Sequence, residues 1–154
     1  MITKLGGNMI TFYQKVFFQL IFTTRPYDTQ LNELLAKYHL HRTEWAVLTY
    51  LMLDENLSLV EIGRILGMDK PNVTRAINRL VELDYVELHP SLSDRRKKMV
   101  KVKEETHNIY QELRTTINAY ELEILEGVSE EEQRTIYNAL KKIQQNLIKR
   151  AGEL

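Results

Sequence analysis

The sequence predicts a mainly α-helical fold with one small β-hairpin. Two short amphipathic helical patterns lie on either side of a glycine turn near residue 67, and two alternating segments follow over residues 85–103. Longer helical patterns occupy both ends of the chain. A length of 154 residues is that of one domain, so we treat residues 1–154 as a single unit.

The two short helices carry clear start and stop signals. Ser58 is followed three residues later by Glu61, which is the spacing of a capping box, and Gly67 can end the first helix in a left-handed conformation. Asp69 is a suitable cap for the second helix, and Pro71 falls in its first turn, where no intrahelical donor is lost. Two short helices joined by such a turn predict a helix-turn-helix.

The second of these helices has one apolar and one polar face. Its apolar residues recur at helical spacing: Val73, Ala76, Ile77, Leu80, Val81. The opposite face carries amide and guanidinium groups, which bond base edges in a major groove: Asn72, Arg75, Asn78, Arg79. For any single arginine a solvated helix face is the simpler interpretation, so a DNA-binding hypothesis depends on the segment that follows.

A basic hairpin follows the second helix. Residues 85–89 and 97–103 alternate like half-buried strands, with Val100 and Val102 on one face of the second strand. One acid and four consecutive cations form the tip: Asp94, Arg95, Arg96, Lys97, Lys98. Such a hairpin is a wing suited to phosphates or to the narrow minor groove. Residues 43–103 are therefore predicted to form a winged helix-turn-helix DNA-binding lobe.

The lobe resembles a known family. Residues 59–102, with the Asp94-Arg95-Arg96 tip, are similar to the MarR family of bacterial transcription regulators, and the similarity extends upstream through residues 40–48. The resemblance implies a homodimeric repressor whose two wings straddle a pseudo-palindromic site in double-stranded DNA. It implies that Asp94 orients the arginine that enters the minor groove. It also implies that a small effector, often aromatic or anionic, binds between the dimer helices and the DNA-binding lobe.

The candidate DNA contacts divide between the helix and the wing. Asn72, Thr74 and Arg75 are the candidates to contact base edges, whereas Arg79 is expected to contact phosphate. Arg96 is the candidate for the minor groove. Lys97 and Lys98 are expected near the DNA backbone, and Arg95 is a further candidate DNA contact of the tip.

An effector pocket and a metal site are the two small-ligand hypotheses. Tyr13, His41 and Trp45 are candidates to line an effector pocket, with a core position as the simpler alternative for Trp45. His39 and His41 lie close enough to suggest a metal, but no second pair of ligands at helical spacing supports it. We therefore expect solvated loop histidines, no metal and no other cofactor.

The N-terminal segment predicts a helix with an interruption. Residues 1–8 are expected to be mobile, with Asn8 a possible cap, and residues 9–24 are apolar over more than half of the helix girth. Pro26 disfavours helix at the residue before it, so we expect a kink or short break there and a second helical segment over residues 29–38.

Three more helices complete the predicted fold. They cover residues 43–53 with Thr43 as the cap, residues 104–126, and residues 129–150 with a capping box at the start. In the family layout, residues 9–38 and 104–150 supply the helices of the dimer interface.

The formal net charge of zero conceals an uneven distribution. Residues 1–57 hold five basic and five acidic residues, residues 58–103 hold ten and six, and residues 104–154 hold six and ten. The lobe predicted to bind DNA therefore carries a net charge of +4, balanced by −4 in the last third of the chain.

Composition narrows the class of protein further. Cysteine is absent, which excludes disulfides and cysteine-based redox sensing. No apolar run is long enough to suggest a membrane-spanning segment, so no membrane partner is expected. Residues 1–8 lack a signal-peptide pattern, so we expect a cytoplasmic protein. An enzyme is not expected, because the sequence shows no glycine-rich phosphate loop and no nucleophile–base motif. The alternative is a winged helix that binds protein, although such modules usually lose the exposed cations that this chain keeps.

Overall fold

The computed structural model describes residues 3–5, 8–54, 57–94 and 96–152, and it confirms a mainly helical fold with a small wing hairpin. The helices are α1 (Phe12–Leu35), α2 (Arg42–Leu53), α3 (Leu59–Leu66), α4 (Lys70–Glu82), α5 (Glu104–Ile124) and α6 (Glu130–Gly152). The strands are β1 (Thr3–Leu5), β2 (Asn8–Ile10), β3 (Val86–Pro90) and β4 (Lys98–Val102). One turn of 3-10 helix, Ala36–Tyr38, follows α1.

The N-terminal segment differs from the prediction. Strands β1 and β2 pair antiparallel, so the first helix begins at Phe12 rather than at residue 9. Thr11 is its N-cap, and the Thr11 backbone N–H donates to Gln14 Oε1 at 2.8 Å, so Asn8 is not the cap. A short apolar run fits a strand or a helix equally well, which explains the error. The two glycines between the strands lie outside the described residues.

Helix α1 continues through Pro26, so of the predicted kink or short break the break, with its restart at residue 29, is wrong. A proline inside a helix costs about 3 kcal/mol, because it removes one hydrogen bond and crowds the preceding turn. The following turns are held by packing, since Leu31 and Leu35 are almost fully buried. The Tyr27 hydroxyl also donates to Glu121 Oε1 of α5 at 3.0 Å. Tertiary contacts therefore sustain the helix across the proline.

The start of α2 also differs from the prediction. The helix begins at Arg42 with His41 as its N-cap, and Glu44 Oε2 accepts from the His41 backbone N–H at 2.9 Å, so Thr43 is not the cap. His39 adopts a left-handed conformation with φ of 57° at the end of the 3-10 turn. The two histidines thus end one helix and begin the next. Among the described residues, no three His, Asp or Glu side chains group as metal ligands.

The core lies where α2, α4 and the wing meet α5 and the C-terminal half of α1. Trp45 is 5% exposed and stacks on Tyr110 with ring centroids 4.9 Å apart. The predicted apolar stripe of α4 is buried except at Val81, which is 38% exposed. The largest fully buried side chains come from several elements: Leu35, Leu48, Leu51, Ile62, Ile77, Leu80, Leu113, Ile117.

The two C-terminal helices match the prediction to within two residues at each end. The Glu132 carboxylate accepts from Ser129 N at 2.8 Å while Ser129 Oγ accepts from Glu132 N at 3.3 Å, which is the predicted capping box. The apolar residues of α6 remain exposed in the single chain, with Ile136 at 51% and Leu147 at 61%. Of the helices that the structure describes, none has the length and apolar character to cross a membrane.

Candidate nucleic-acid interface

The N-terminal turn of α4 is fixed by its cap. Asp69 Oδ1 accepts from the Asn72 backbone N–H at 2.9 Å, and Pro71 occupies the first turn. This cap satisfies one of the donors that a helix start leaves unpaired. The exposed Asn72 side chain is therefore presented from a defined helix start.

Two glycines shape the junction of α3 and α4, one by its backbone conformation and one by close packing. Gly67 ends α3 with φ of 63°, a left-handed conformation that favours glycine. At Gly63 a Cβ atom would lie 3.0 Å from the carbonyl oxygen of Met68 and 3.1 Å from Cγ2 of Val73. Sequence reasoning identified Gly67 and missed Gly63, whose only signal was a glycine inside a helix four residues before the C-cap.

The exposed face of α4 carries the predicted base-contacting residues. Arg75 Nη1 donates to Asn72 Oδ1 at 3.3 Å, so these two side chains already form a pair. Arg79 Nη1 lies 3.2 Å from Glu82 Oε2, and Thr74 is half-buried beside the exposed residues. Surface contacts of this kind contribute little energy, so these side chains can exchange them for other partners at small cost.

The wing is anchored to the start of α3. Strands β3 and β4 pair antiparallel with Val86 opposite Val102, and both residues are buried together with Val100. The Val100 backbone N–H donates to the Leu57 carbonyl oxygen at 3.3 Å. The hairpin therefore has a fixed position relative to the helix-turn-helix.

Asp94 organises the wing tip through the main chain. Its Oδ1 accepts from the Arg96 backbone N–H at 3.0 Å, and its carbonyl oxygen accepts from Lys97 N at 2.9 Å. The carboxylate thus holds the backbone that carries the Arg96 side chain. Arg96, Lys97 and Lys98 are exposed, and Arg95 lies outside the described residues.

Several acids of the lobe are engaged in its internal structure. Hydrogen bonds from Ser58 hold the pKa of Glu61 below its usual value, which keeps this capping carboxylate ionised. Asp84 pairs with Lys103, and this hydrogen bond raises the pKa of Lys103. Within the described part of the chain, the ion pairs do not involve Arg75 or the lysines of the wing tip. The exposed α4 face and the tip therefore present positive charge.

A cleft of about 840 Å³ lies between the DNA-binding lobe and helices α1 and α5. We call it the interhelical cleft, and its lining includes these residues: Tyr27, Arg42, Trp45, Thr49, Arg114, Glu121. Of the three residues predicted to line an effector pocket, only Trp45 lines this cleft. Tyr13 is exposed near the start of α1, and His41 caps α2, so the single chain does not bring the three together.

Charged and aromatic side chains contact one another in the wall of the interhelical cleft. Arg114 donates to Glu121 and lies over the Trp45 ring, 5.8 Å from the centroid. Burial and the Glu121 carboxylate raise the pKa of Tyr27 to about 12, so this hydroxyl keeps its proton and remains a hydrogen-bond donor. Tyr27 and Glu121 are 94 residues apart in the sequence, which explains why sequence reasoning missed this pair. Asn72 of α4 also lines the cleft.

Comparisons with known proteins agree with this architecture. Residues 39–97 match the model of the MarR family. A MarR protein from Peptoclostridium difficile superposes with a TM-score of 0.81 and 19% identity over 93% of this chain and 95% of its own. A MarR/EmrR family transcriptional regulator from Acinetobacter sp. ADP1 superposes with a TM-score of 0.79 and 23% identity, over 91% of this chain and 99% of its own. Staphylococcus aureus MarR in complex with salicylate and kanamycin superposes with a TM-score of 0.77 and 22% identity, over 89% of this chain and 93% of its own.

The matched segment contains α2, the helix-turn-helix and the wing up to Lys97. At these identities the solved structures show a common fold over most of the chain. Residues 39–97 are thus similar in sequence to the MarR family, and most of the chain shares the winged helix-turn-helix fold of the solved MarR-family structures.

Proposed function

We propose that this chain is a sequence-specific repressor that binds double-stranded DNA as a homodimer on a pseudo-palindromic operator and responds to a small-molecule effector. The observation that carries this proposal is the arrangement of charge in the lobe. The carboxylates of Glu61, Asp69 and Asp94 cap helices or brace a turn, whereas α4 and the wing tip expose guanidinium and ammonium groups. DNA phosphates attract such a surface, and its amide and guanidinium groups can bond base edges.

In this proposal α4 enters the major groove and the wing follows the backbone into the minor groove. Asn72, Thr74 and Arg75 contact base edges, and Arg79 contacts phosphate. Arg96 enters the minor groove from a backbone that Asp94 holds in place. The other cations of the tip contact phosphate: Arg95, Lys97, Lys98.

A second copy of the chain is proposed to cover the apolar surface of the terminal helices. The first three turns of α1 expose large rings, with Phe12 and Phe22 each 65% exposed, and α6 exposes Ile148 at 58%. Contiguous apolar surface of this kind marks an interaction site. Residues 9–38 and 104–150 are therefore the proposed dimerisation segments.

The interhelical cleft is the proposed effector site. It contacts α1 and α5 on one side and the start of α4, at Asp69 and Asn72, on the other. A ligand there can favour one placement of α4 relative to the dimer helices, which is what an effector must do to change DNA affinity. The similar Staphylococcus aureus structure holds salicylate and kanamycin, which supports a small molecule as the effector.

Selection of tight binders from random duplex DNA tests the function. We expect enrichment of a motif with two inverted half-sites. Fluorescence anisotropy should show that the logarithm of the binding constant for this motif falls by roughly 0.9 per phosphate contact for each tenfold increase in salt concentration. Enrichment of half-sites with an affinity that does not change with salt concentration would contradict a role of the basic surface in binding phosphates. The absence of any duplex binding at low salt would favour the protein-binding alternative.

A further inference from the structure

Acidic side chains outnumber basic side chains in the described lining of the interhelical cleft. Arg42 Nη1 lies 2.6 Å from Asp28 Oδ1, and Arg114 is paired with Glu121. Arg114 Nε also donates to Asn118 Oδ1 at 2.6 Å. Asp69 adds a further carboxylate. The described lining thus holds three carboxylates and two guanidiniums, and both guanidiniums have carboxylate partners.

An anionic ligand would have to compete with these internal carboxylates. An anion bonded to Arg114 would lie beside the Glu121 carboxylate, whose side chain is 32% exposed, and would be repelled by it. An anion bonded to Arg42 would be repelled by Asp28 in the same manner. The lining therefore disfavours an aromatic carboxylate.

The lining offers a cation and a ring better partners. Tyr50 presents a ring that is 37% exposed at the cleft, suited to stacking and to cation–π contact. Thr49 Oγ1 is buried in the cleft wall and has no hydrogen-bond partner among the described residues. Buried hydroxyls are normally bonded, so a donor on the ligand would satisfy it.

Building on the effector response proposed above, we propose that the interhelical cleft binds a planar aromatic cation in preference to an aromatic carboxylate. The cationic group lies among Asp28, Asp69 and Glu121 without breaking either internal ion pair. The ring occupies the space beside Tyr50. An amidinium is well matched to this lining, because its N–H groups can donate to a carboxylate as a charge-assisted pair.

Intrinsic fluorescence of the unmodified full-length protein tests this preference, because Trp45 is the only tryptophan and lines the cleft. Benzamidine, benzyl alcohol and benzoate serve as cationic, neutral and anionic probes of similar ring size. We expect a saturable change with benzamidine at a dissociation constant about tenfold below that of benzoate, which corresponds to about one charge contact. Equal or tighter binding of benzoate, or no saturable change with benzamidine, would overturn the proposal.

A charge variant provides the second arm of the test. Glu121→Gln should weaken the binding of benzamidine and strengthen the binding of benzoate, because the substitution releases Arg114 and removes one carboxylate from the lining. Glu123→Gln, an exposed residue on the same helix outside the lining, should change neither. A Glu121→Gln variant that folds by circular dichroism and leaves both constants unchanged would overturn the proposal. No DNA is present in this assay, so failure of the regulator proposal would appear separately, as loss of duplex binding.

Discussion

The carboxylate of Asp94 accepts a hydrogen bond from the backbone N–H of Arg96 at 3.0 Å, so the acid at the wing tip acts on the main chain that carries the neighbouring arginine. This geometry is a local turn braced by an aspartate side chain. An asparagine can supply the same acceptor oxygen without the charge, which separates geometry from electrostatics at this position.

Asp94→Ala and Asp94→Asn should therefore differ. The alanine variant loses a hydrogen bond of about 1 kcal/mol, so the tip should loosen and operator affinity should fall about fivefold. The asparagine variant keeps the acceptor and removes a negative charge near DNA, so its affinity should equal or exceed that of the unmodified protein. Anisotropy titrations measure both. Tighter binding by both variants would show that Asp94 only repels phosphate.

Arg75→Ala and Arg96→Ala should fail in different ways. Arg75 lies on the exposed face of α4, where its loss should cost about 1–3 kcal/mol and relax preference at one base pair. Arg96 lies on the wing, so its loss should dull the preference for A·T-rich flanks and leave the central motif unchanged. Affinities for a panel of single-base operator variants distinguish the two. The same specificity profile for both variants would contradict separate groove assignments.

Phe18→Glu should disrupt the dimer. Its ring stacks on Phe22 with centroids 6.3 Å apart in the exposed apolar part of α1, and a charge there cannot be buried without a partner. Sedimentation velocity should show monomer or aggregate. The control is Leu92→Glu, a fully exposed apolar residue of the wing loop, which should remain dimeric.

Deletion of the chain after Glu126 tests the same interface from the other end. Removing α6 exposes the apolar surface that it is proposed to cover in the dimer, so aggregation or unfolding is the expected result. Size-exclusion chromatography with circular dichroism makes the measurement. A soluble, well-folded monomer would contradict the proposed dimer segments.

Gly63→Ala should destabilise the DNA-binding lobe. The added methyl group would lie 3.0 Å from a backbone oxygen of the α3–α4 turn, and overpacking of this kind costs about 1–3 kcal/mol. Urea unfolding should show a lower midpoint. Gly152→Ala is the matched control, because its Cβ would meet nothing within 4 Å, and its midpoint should not fall. Equal midpoints for the two variants would show that α3 and α4 can separate freely at Gly63.

Local signals in the sequence were sufficient to predict the winged helix-turn-helix fold. The capping box at Ser58, the cap at Asp69 and the apolar stripe of α4 each depend on residues within one or two helical turns, and each is present in the structure. The acid and cations of the tip also lie together in the sequence. Local chemistry was enough in these places because the contacts it predicts are local.

Features that depend on distant contacts were not predicted. Pro26 is a local helix breaker, but burial of Leu31 and the contact of Tyr27 with Glu121 hold α1 together across it. The interhelical cleft draws residues from α1, α2, α4 and α5, so no spacing along the chain indicated it. The pairing of β1 with β2 was missed because a strand of three residues is too short to show a period.

Hydroxyl-radical footprinting on the selected duplex tests the central claim most directly, that two copies of α4 and the wing bind one operator. We expect two protected half-sites about 10 base pairs apart on one side of the duplex, related by two-fold symmetry, with protection in the flanking minor grooves where the wings lie. The Arg96→Ala variant should lose the flanking protection and keep the central pair. A single asymmetric half-site in the unmodified protein would contradict the account.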